Sequence, residues 1–146
     1  MTDRTPITRL DILSGTYSSE KEYYFLNILE INVLIQPTFD INLLVEWDLI
    51  FQNCRFLKMI GENVFTKGKL VIYGCPLLKT LPNNLITDKE IYFSKNQFYT
   101  TLFSEEQFNL IKSLDFNKNH IYSYSDYYYL IKDTLSKEEI SKICNL

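Results

Sequence analysis

The chain repeats one spacing of apolar residues four times. The repeated segments begin at Leu49, Leu70, Ile91 and Leu114, so their starts lie 21, 21 and 23 residues apart. In each segment the first, third and eighth residues are apolar, and the sixth is a cysteine or an asparagine. A fixed period of about 20 to 30 residues is typical of solenoid proteins, in which each repeat forms one coil. A single coil cannot cover its own apolar side chains, so we predict that the coils stack around one continuous core.

Further apolar positions predict which side chains face this core. Alternation of the first and third residues of each segment predicts a short strand with one buried face. The eighth residue of all four segments, the twelfth of the first three and the sixteenth of the first two are apolar as well. We expect them to point inward from successive sides of the coil. These residues are Phe56, Leu77, Phe98, Ile121, Ile60, Leu81, Leu102, Val64 and Leu85.

The sixth position of the segments is small and weakly polar. It holds Cys54, Cys75, Asn96 and Asn119. The chain must turn sharply after each strand, which leaves backbone groups without partners inside the coil. An asparagine amide can donate and accept hydrogen bonds there, and a cysteine fits the same space with a weak S–H donor. We predict that these four side chains are buried and that Cys54 and Cys75 are free thiols.

The repeat pattern resembles that of the leucine-rich repeat family. The best match is residues 69–85, KLVIYGCPLLKTLPNNL, which is similar to the GC-x-x-L-x-x-LP-x-x-L repeats of bacterial, phage and large-virus proteins. The resemblance covers residues 49–121. It implies an α/β solenoid with a short parallel sheet, a mostly irregular convex side and a concave sheet face that binds other proteins. The departures from the family pattern are Phe51, Phe93, Phe98, Phe116 and Ser125.

We predict a single domain that spans residues 1–146. Residues 1–48 are expected to form irregular N-terminal coils or a capping hairpin, because an alternating pattern over residues 23–35 suggests a strand. Residues 49–121 are expected to form the four regular repeats. Residues 122–146 are expected to form a C-terminal cap, since the outermost coil of a solenoid otherwise exposes its core.

Two helices are predicted from capping-box patterns, in which a serine is followed three residues later by Gln or Glu. The first pattern, at residues 104–107, predicts a short helix over residues 105–112. The second, at residues 136–139, predicts a helix over residues 137–144 that covers the last coil. The tyrosine-rich stretch before it belongs to the cap in this interpretation, and a contact surface for a partner is the alternative.

The sequence has few residues of the types that enzymes use. His120 is the only histidine, the three cysteines have no Cys-x-x-Cys spacing, and there is no glycine-rich phosphate loop. An odd cysteine count argues against a disulfide framework, and one histidine argues against a zinc site. Adjacent glutamates at the predicted helix starts are explained by the helix dipole. We therefore predict a non-enzymatic protein with no catalytic, cofactor-binding or metal-binding residues.

Composition and charge narrow the class of partner. A net charge of −3 argues against nucleic acid, because phosphate binding needs a basic surface. The N-terminus lacks the apolar segment of a signal peptide, and no apolar stretch approaches the roughly 20 residues that span a membrane. We expect a soluble, cytoplasmic protein that does not bind membranes. The sequence has no alanine and 12 lysines against 3 arginines, which suggests an AT-rich viral, phage or microbial genome.

The outward face of the predicted sheet is the candidate functional surface. Residues on either side of each buried strand residue point away from the core, and stacking places them in neighbouring columns. Aromatic and aliphatic side chains within a polar rim are typical of protein-binding hot spots. The candidate protein-binding residues are Ile50, Gln52, Lys69, Val71, Tyr73, Glu90, Tyr92 and Asp115.

Two functions are compatible with this pattern. The leading hypothesis is a protein-binding module that recognises another protein with the concave face of its sheet. The alternative is a structural subunit of a viral or phage assembly, held by its edges and caps. Self-association is possible, and it would favour the second hypothesis, whereas a monomer that binds one partner would favour the first.

Overall fold

The computed structural model describes residues 4–113 except 33, 83, 85, 99 and 103, and it also describes Tyr128. These residues form eleven short strands and three short helices. The strands are β1 (Thr5–Pro6), β2 (Glu22–Phe25), β3 (Leu29–Ile31), β4 (Thr38–Phe39), β5 (Asn42–Val45), β6 (Leu49–Gln52), β7 (Met59–Ile60), β8 (Val64–Thr66), β9 (Leu70–Tyr73), β10 (Ile91–Phe93) and β11 (Ile111–Ser113). The helices are α1 (Arg9–Ser14), α2 (Lys95–Phe98) and α3 (Glu105–Phe108).

The strands form three parallel sheets that the chain visits in turn. Sheet A has the order β1-β2-β5-β8, sheet B the order β11-β10-β9-β6-β3, and sheet C the order β4-β7. The result is a β-solenoid of about 4 turns, which confirms the predicted stack of coils around one core. The prediction of a mostly irregular convex side is wrong. Sheets A and C supply short parallel strands on the sides of the coil away from sheet B.

The register of sheet B confirms the alternation that the sequence predicts. Leu49 pairs with Leu70, and Leu70 pairs with Ile91. Their side chains and those two residues further on are at most 1% exposed. Stacking such strands buries each apolar side chain against its equivalents above and below, so the hydrophobic effect acts along the whole ladder.

The region before Leu49 is more regular than predicted. Strand β3 pairs with β6, with Leu29 opposite Leu49, and β2 pairs with β5 in sheet A. The predicted strand over residues 23–35 is therefore two strands from two sheets. All strand pairings among the described residues are parallel, so the capping hairpin is wrong. The sequence pattern missed this coil because its sixth position holds Leu34 in place of a cysteine or asparagine.

The last strand of sheet B begins three residues before the predicted repeat. Ile111 lies opposite Ile91, whereas the sequence alignment placed Leu114 there, and Leu114 to Ile121 lie outside the described residues. The predicted helix over residues 105–112 ends at Phe108, because Ile111 joins the sheet. The capping box at its start is confirmed: Ser104 accepts from the Gln107 backbone, and the Gln107 side chain accepts from the Ser104 N–H.

The eighth position of the repeat is on the surface, contrary to the prediction. Phe56 is 58% exposed and Leu77 is 40% exposed, whereas Leu57 and Leu78 are fully buried. The side chain of Phe98 is outside the description. Both exposed residues lie in a tight turn. The N–H of Leu57 donates to the Cys54 carbonyl in the first turn, and the N–H of Leu78 donates to the Cys75 carbonyl in the second. The turn shifts the inward direction by one residue. The core positions at Ile60, Leu81, Leu102 and Val64 are confirmed.

The small residues at the sixth position behave as predicted in two coils but not in the third. Cys54 and Cys75 are buried free thiols, 1% and 0% exposed. Asn96 is exposed, so its prediction as a buried amide is wrong. The neighbouring Gln97 is buried and bonds to both backbone groups of Cys75, accepting from the N–H at 2.8 Å and donating to the carbonyl at 2.9 Å. Helix α2 replaces the turn here, so a longer amide reaches back to the preceding coil.

A second buried glutamine performs the same task at the next corner. The Gln107 amide donates to the Pro82 carbonyl at 2.7 Å and is 1% exposed. Gln97 and Gln107 were not singled out by the sequence analysis. The sequence does contain a pattern that could have identified them. Each glutamine precedes a phenylalanine in a short polar stretch, and the two Gln-Phe pairs are ten residues apart.

The N-terminal end of sheet B lies beside α1. Thr8 caps the N-terminus of this helix, because its side chain accepts from the backbone N–H of Asp11, and Ile12 is buried in the core. From the first turn, the Arg9 guanidinium donates to the carbonyl of Glu30 in β3 at 2.7 Å. A charged side chain thus satisfies a backbone acceptor at the edge of sheet B, where no other described strand pairs with β3.

Candidate functional site

The outer face of sheet B brings three apolar side chains into one column. Ile50 pairs with Val71, and Val71 pairs with Tyr92. Each is partly exposed, while its neighbours along the strand are buried. Because side chains alternate along a strand, these three point away from the core. Consecutive strands lie ~4.8 Å apart, so the column forms one contiguous patch.

Hydrogen bonds between side chains hold the two tyrosines of this face. Gln52 lies opposite Tyr73, and the Tyr73 hydroxyl donates to the Gln52 side-chain oxygen. The Tyr92 hydroxyl donates to the Glu90 carboxylate at 2.9 Å. This hydrogen bond to Glu90 raises the pKa of Tyr92 above its ordinary value. Both rings are therefore presented in defined positions.

Charged residues line the side of the face where the strands begin. The Lys69 ammonium lies 5.4 Å from the centroid of the Tyr92 ring, within the range of a cation–π contact. The backbone N–H of Lys69 donates to the Asp48 carboxylate at 2.8 Å. Asp48, Lys69 and Glu90 each lie directly before a strand of sheet B. The face therefore has an apolar centre and, on this side, a rim of alternating charge.

Seven of the eight predicted binding residues lie together on this face, and they are Ile50, Gln52, Lys69, Val71, Tyr73, Glu90 and Tyr92. Asp115 lies outside the described residues. The sequence analysis missed Glu30, which pairs with Ile50 and extends the column by one coil. The signal for it was the alternation Leu29-Glu30-Ile31.

Sheet A presents a second apolar column that the sequence analysis did not identify. Tyr24, Leu44 and Phe65 are in register and partly exposed. At the corner between sheets A and B, three further apolar side chains are exposed, and they are Leu26, Ile28 and Trp47. Trp47, the only tryptophan of the chain, is 61% exposed. The solenoid therefore offers apolar contact surface on two sides and the corner between them.

No group of three or more His, Cys, Asp or Glu side chains that could hold a metal ion is found among the described residues. In the same part of the chain, no helix is long and apolar enough to cross a membrane. Comparison with protein-family models, with curated proteins and with solved structures found no match to this chain.

Proposed function

We propose that the chain is a non-enzymatic protein-binding module that uses the outer face of sheet B. The observation that carries this proposal is the register of Ile50, Val71 and Tyr92 in one partly exposed column, with Tyr73 beside it. Interface centres are enriched in aromatic anchors and are surrounded by polar residues. The other protein would rest on the column and contact the charged rim.

The hydrogen bonds of the two tyrosines support this proposal. A side chain that is already fixed loses less conformational freedom on binding. Tyr73 is held by Gln52, and Tyr92 is held by Glu90 and lies beside Lys69. The alternating charges of the rim favour a partner with the opposite pattern and select against one with the same pattern.

A structural role in an assembly is the second candidate. The exposed Leu26, Ile28 and Trp47 and the sheet A column support it, because a subunit of an assembly needs more than one contact surface. Membership of the leucine-rich repeat family stays a prediction that rests on the repeat pattern of residues 49–121, with the best match at residues 69–85. A cytoplasmic location and an AT-rich viral or microbial source also stay predictions.

The test begins with affinity purification of the tagged chain from its source cells and identification of the protein that co-purifies. Binding of that purified protein is then measured for the Tyr73→Ala/Tyr92→Ala variant, whose circular dichroism should match the wild type because neither ring is in the core. We expect a loss of about 2 kcal/mol or more in binding free energy. Full-strength binding by this variant would contradict the proposal.

A matched variant on the other face, Tyr24→Ala/Phe65→Ala, separates the two candidate functions. Under the sheet B proposal it binds the partner like the wild type. Under the assembly alternative, the wild type self-associates in light scattering and this variant dissociates. A wild-type chain that stays monomeric at high concentration would count against the assembly role.

A further inference from the structure

The stacking of coils is interrupted at one place in sheet C. Strand β4 pairs with β7, and Thr80 forms a bridge with Leu102. Between β7 and the segment 80–82, however, no strand pairing occurs among the described residues. The same two coils are joined in sheet A by β5–β8 and in sheet B by β6–β9. The gap is therefore local to one side of the solenoid.

The backbone directions explain the gap. The N–H of Leu81 donates to the Leu102 carbonyl at 3.3 Å, so this segment bonds to the following coil. Pro82 has no N–H and cannot donate back to β7. On the other side, the N–H groups of Met59 and Gly61 donate to the preceding coil. The N–H groups of Ile60 and Thr80 have no hydrogen-bond partner within the described part of the chain.

A cleft of about 520 Å³ opens at this gap. Its walls are β7 with residues 61–63 on one side and residues 80–82 on the other. Met59, which is 41% exposed, and Leu81 and Pro82 make part of the lining apolar. The volume is within the range of ligand sites, about 300 to 1,000 Å³. The cleft thus combines an apolar lining with unpaired backbone donors.

Two carboxylates flank the cleft. Asp40 and Glu62 are exposed, and neither forms an ion pair with another described residue. Asp40 is held at this place because Gly61 has no side chain. A Cβ atom on Gly61 would collide with the Asp40 carboxylate. The two charged side chains that line the cleft are therefore both negative, which disfavours anionic ligands and favours a cationic group.

We propose that this cleft binds an extended peptide segment of another protein that carries a lysine or arginine. Peptide carbonyls would accept from the N–H groups of Ile60 and Thr80, as a strand does when it adds to a sheet. The basic side chain would pair with Asp40 and Glu62, and an apolar neighbour would contact Met59 and Leu81. This site is separate from sheet B and does not depend on the function proposed for that face.

The probe is a fluorescein-labelled peptide, acetyl-GVKVRVG-amide, titrated with the full chain and followed by fluorescence anisotropy. A second peptide, acetyl-GVEVEVG-amide, tests the charge requirement. We expect saturable binding of the basic peptide and none of the acidic one. The Asp40→Asn/Glu62→Gln variant should bind the basic peptide at least ~10-fold more weakly, since it loses two charge-assisted contacts. Glu20→Gln, a matched change in an exposed turn, should bind like the wild type.

A backbone variant tests the gap itself. Pro82→Val adds an N–H that can donate to the Ile60 carbonyl and close the ladder. We expect this variant to lose binding of the basic peptide while its melting temperature stays unchanged or rises. The Tyr73→Ala/Tyr92→Ala variant should keep peptide binding, so failure of one proposal is distinguishable from failure of the other. Absence of binding to the wild type, equal binding of both peptides, or full-strength binding by Asp40→Asn/Glu62→Gln would overturn the proposal.

Discussion

Sheets B and C are built from the same coils but differ in continuity. Sheet B has five strands of three or four residues, and each pairs with its neighbours. Sheet C has two strands of two residues, and its ladder breaks at the next coil. An apolar residue recurs on the inner side of both sheets. The difference shows that apolar repetition fills the core, while a continuous ladder also needs an N–H donor at every step.

The corners on the two sides of the break are alike. The corner after β6 is a tight turn at Cys54, and the corner after β9 is the same turn at Cys75. The missing N–H donor at Pro82 therefore accounts for the break. Strands β3, β6 and β9 of sheet B each follow a strand of sheet A, and the strands of sheet A are paired with one another.

The largest expected effect compares a core leucine of sheet B with a core leucine that lines the cleft. Leu70→Ala removes a fully buried side chain from the middle of sheet B and should lower the unfolding free energy by about 3 to 5 kcal/mol. Leu81→Ala should cost only about 2 kcal/mol, because its site already borders the cleft and less contact is lost. Urea unfolding measures both. Equal losses would mean that the cleft does not loosen packing in sheet C.

A smaller effect concerns the corner that leads from sheet B to sheet C. Gln97→Met keeps the length of the side chain but leaves the backbone groups of Cys75 without partners. We expect a loss of about 2 kcal/mol in unfolding free energy. Asn96→Ala, at the exposed neighbour, is the control and should change it by less than about 0.5 kcal/mol. A larger loss from Asn96→Ala than from Gln97→Met would instead support the buried asparagine that the sequence predicted at this position.

The smallest expected effect is a pH dependence of the stability that arises from Tyr17. Burial, with a further contribution from the Asp40 charge, raises the pKa of Tyr17 above its ordinary value. The unfolded chain therefore loses this proton first as pH rises, so the stability that Tyr17 contributes is present below about pH 10 and is lost above it. In unfolding titrations from pH 8 to 11, the wild type should lose stability more steeply than Tyr17→Phe. Identical slopes would contradict this assignment.

Sheet B could be predicted from the sequence because its determinants are local. Alternation at Leu49 and Phe51 fixes which side of the strand is buried, and an equal spacing to Leu70 fixes the register. Seven candidate residues followed directly from that register. The corners could not be predicted in the same way. Whether Phe56 or Leu57 faces inward depends on a backbone turn whose hydrogen bond is not visible in an apolar pattern.

The gap in sheet C could not be predicted either, because it depends on contacts between residues that are even further apart in the sequence. Pro82 is evident in the sequence, but its effect requires knowing that its nitrogen would face β7. Gln97 was overlooked because the repeat pattern drew attention to Asn96, one residue earlier. A short helix moved the polar position by one residue, and the buried amide changed from asparagine to glutamine.

The contact between Arg9 and Glu30 has a consequence for how these molecules can meet. A strand at the edge of a sheet can recruit a strand from another chain, and proteins often block such edges with charged side chains. Here the guanidinium occupies the Glu30 carbonyl that an incoming strand would need. Growth of the solenoid into a fibre at this end would require displacing an ionised group from its acceptor. Addition of a strand at this edge of sheet B is therefore disfavoured.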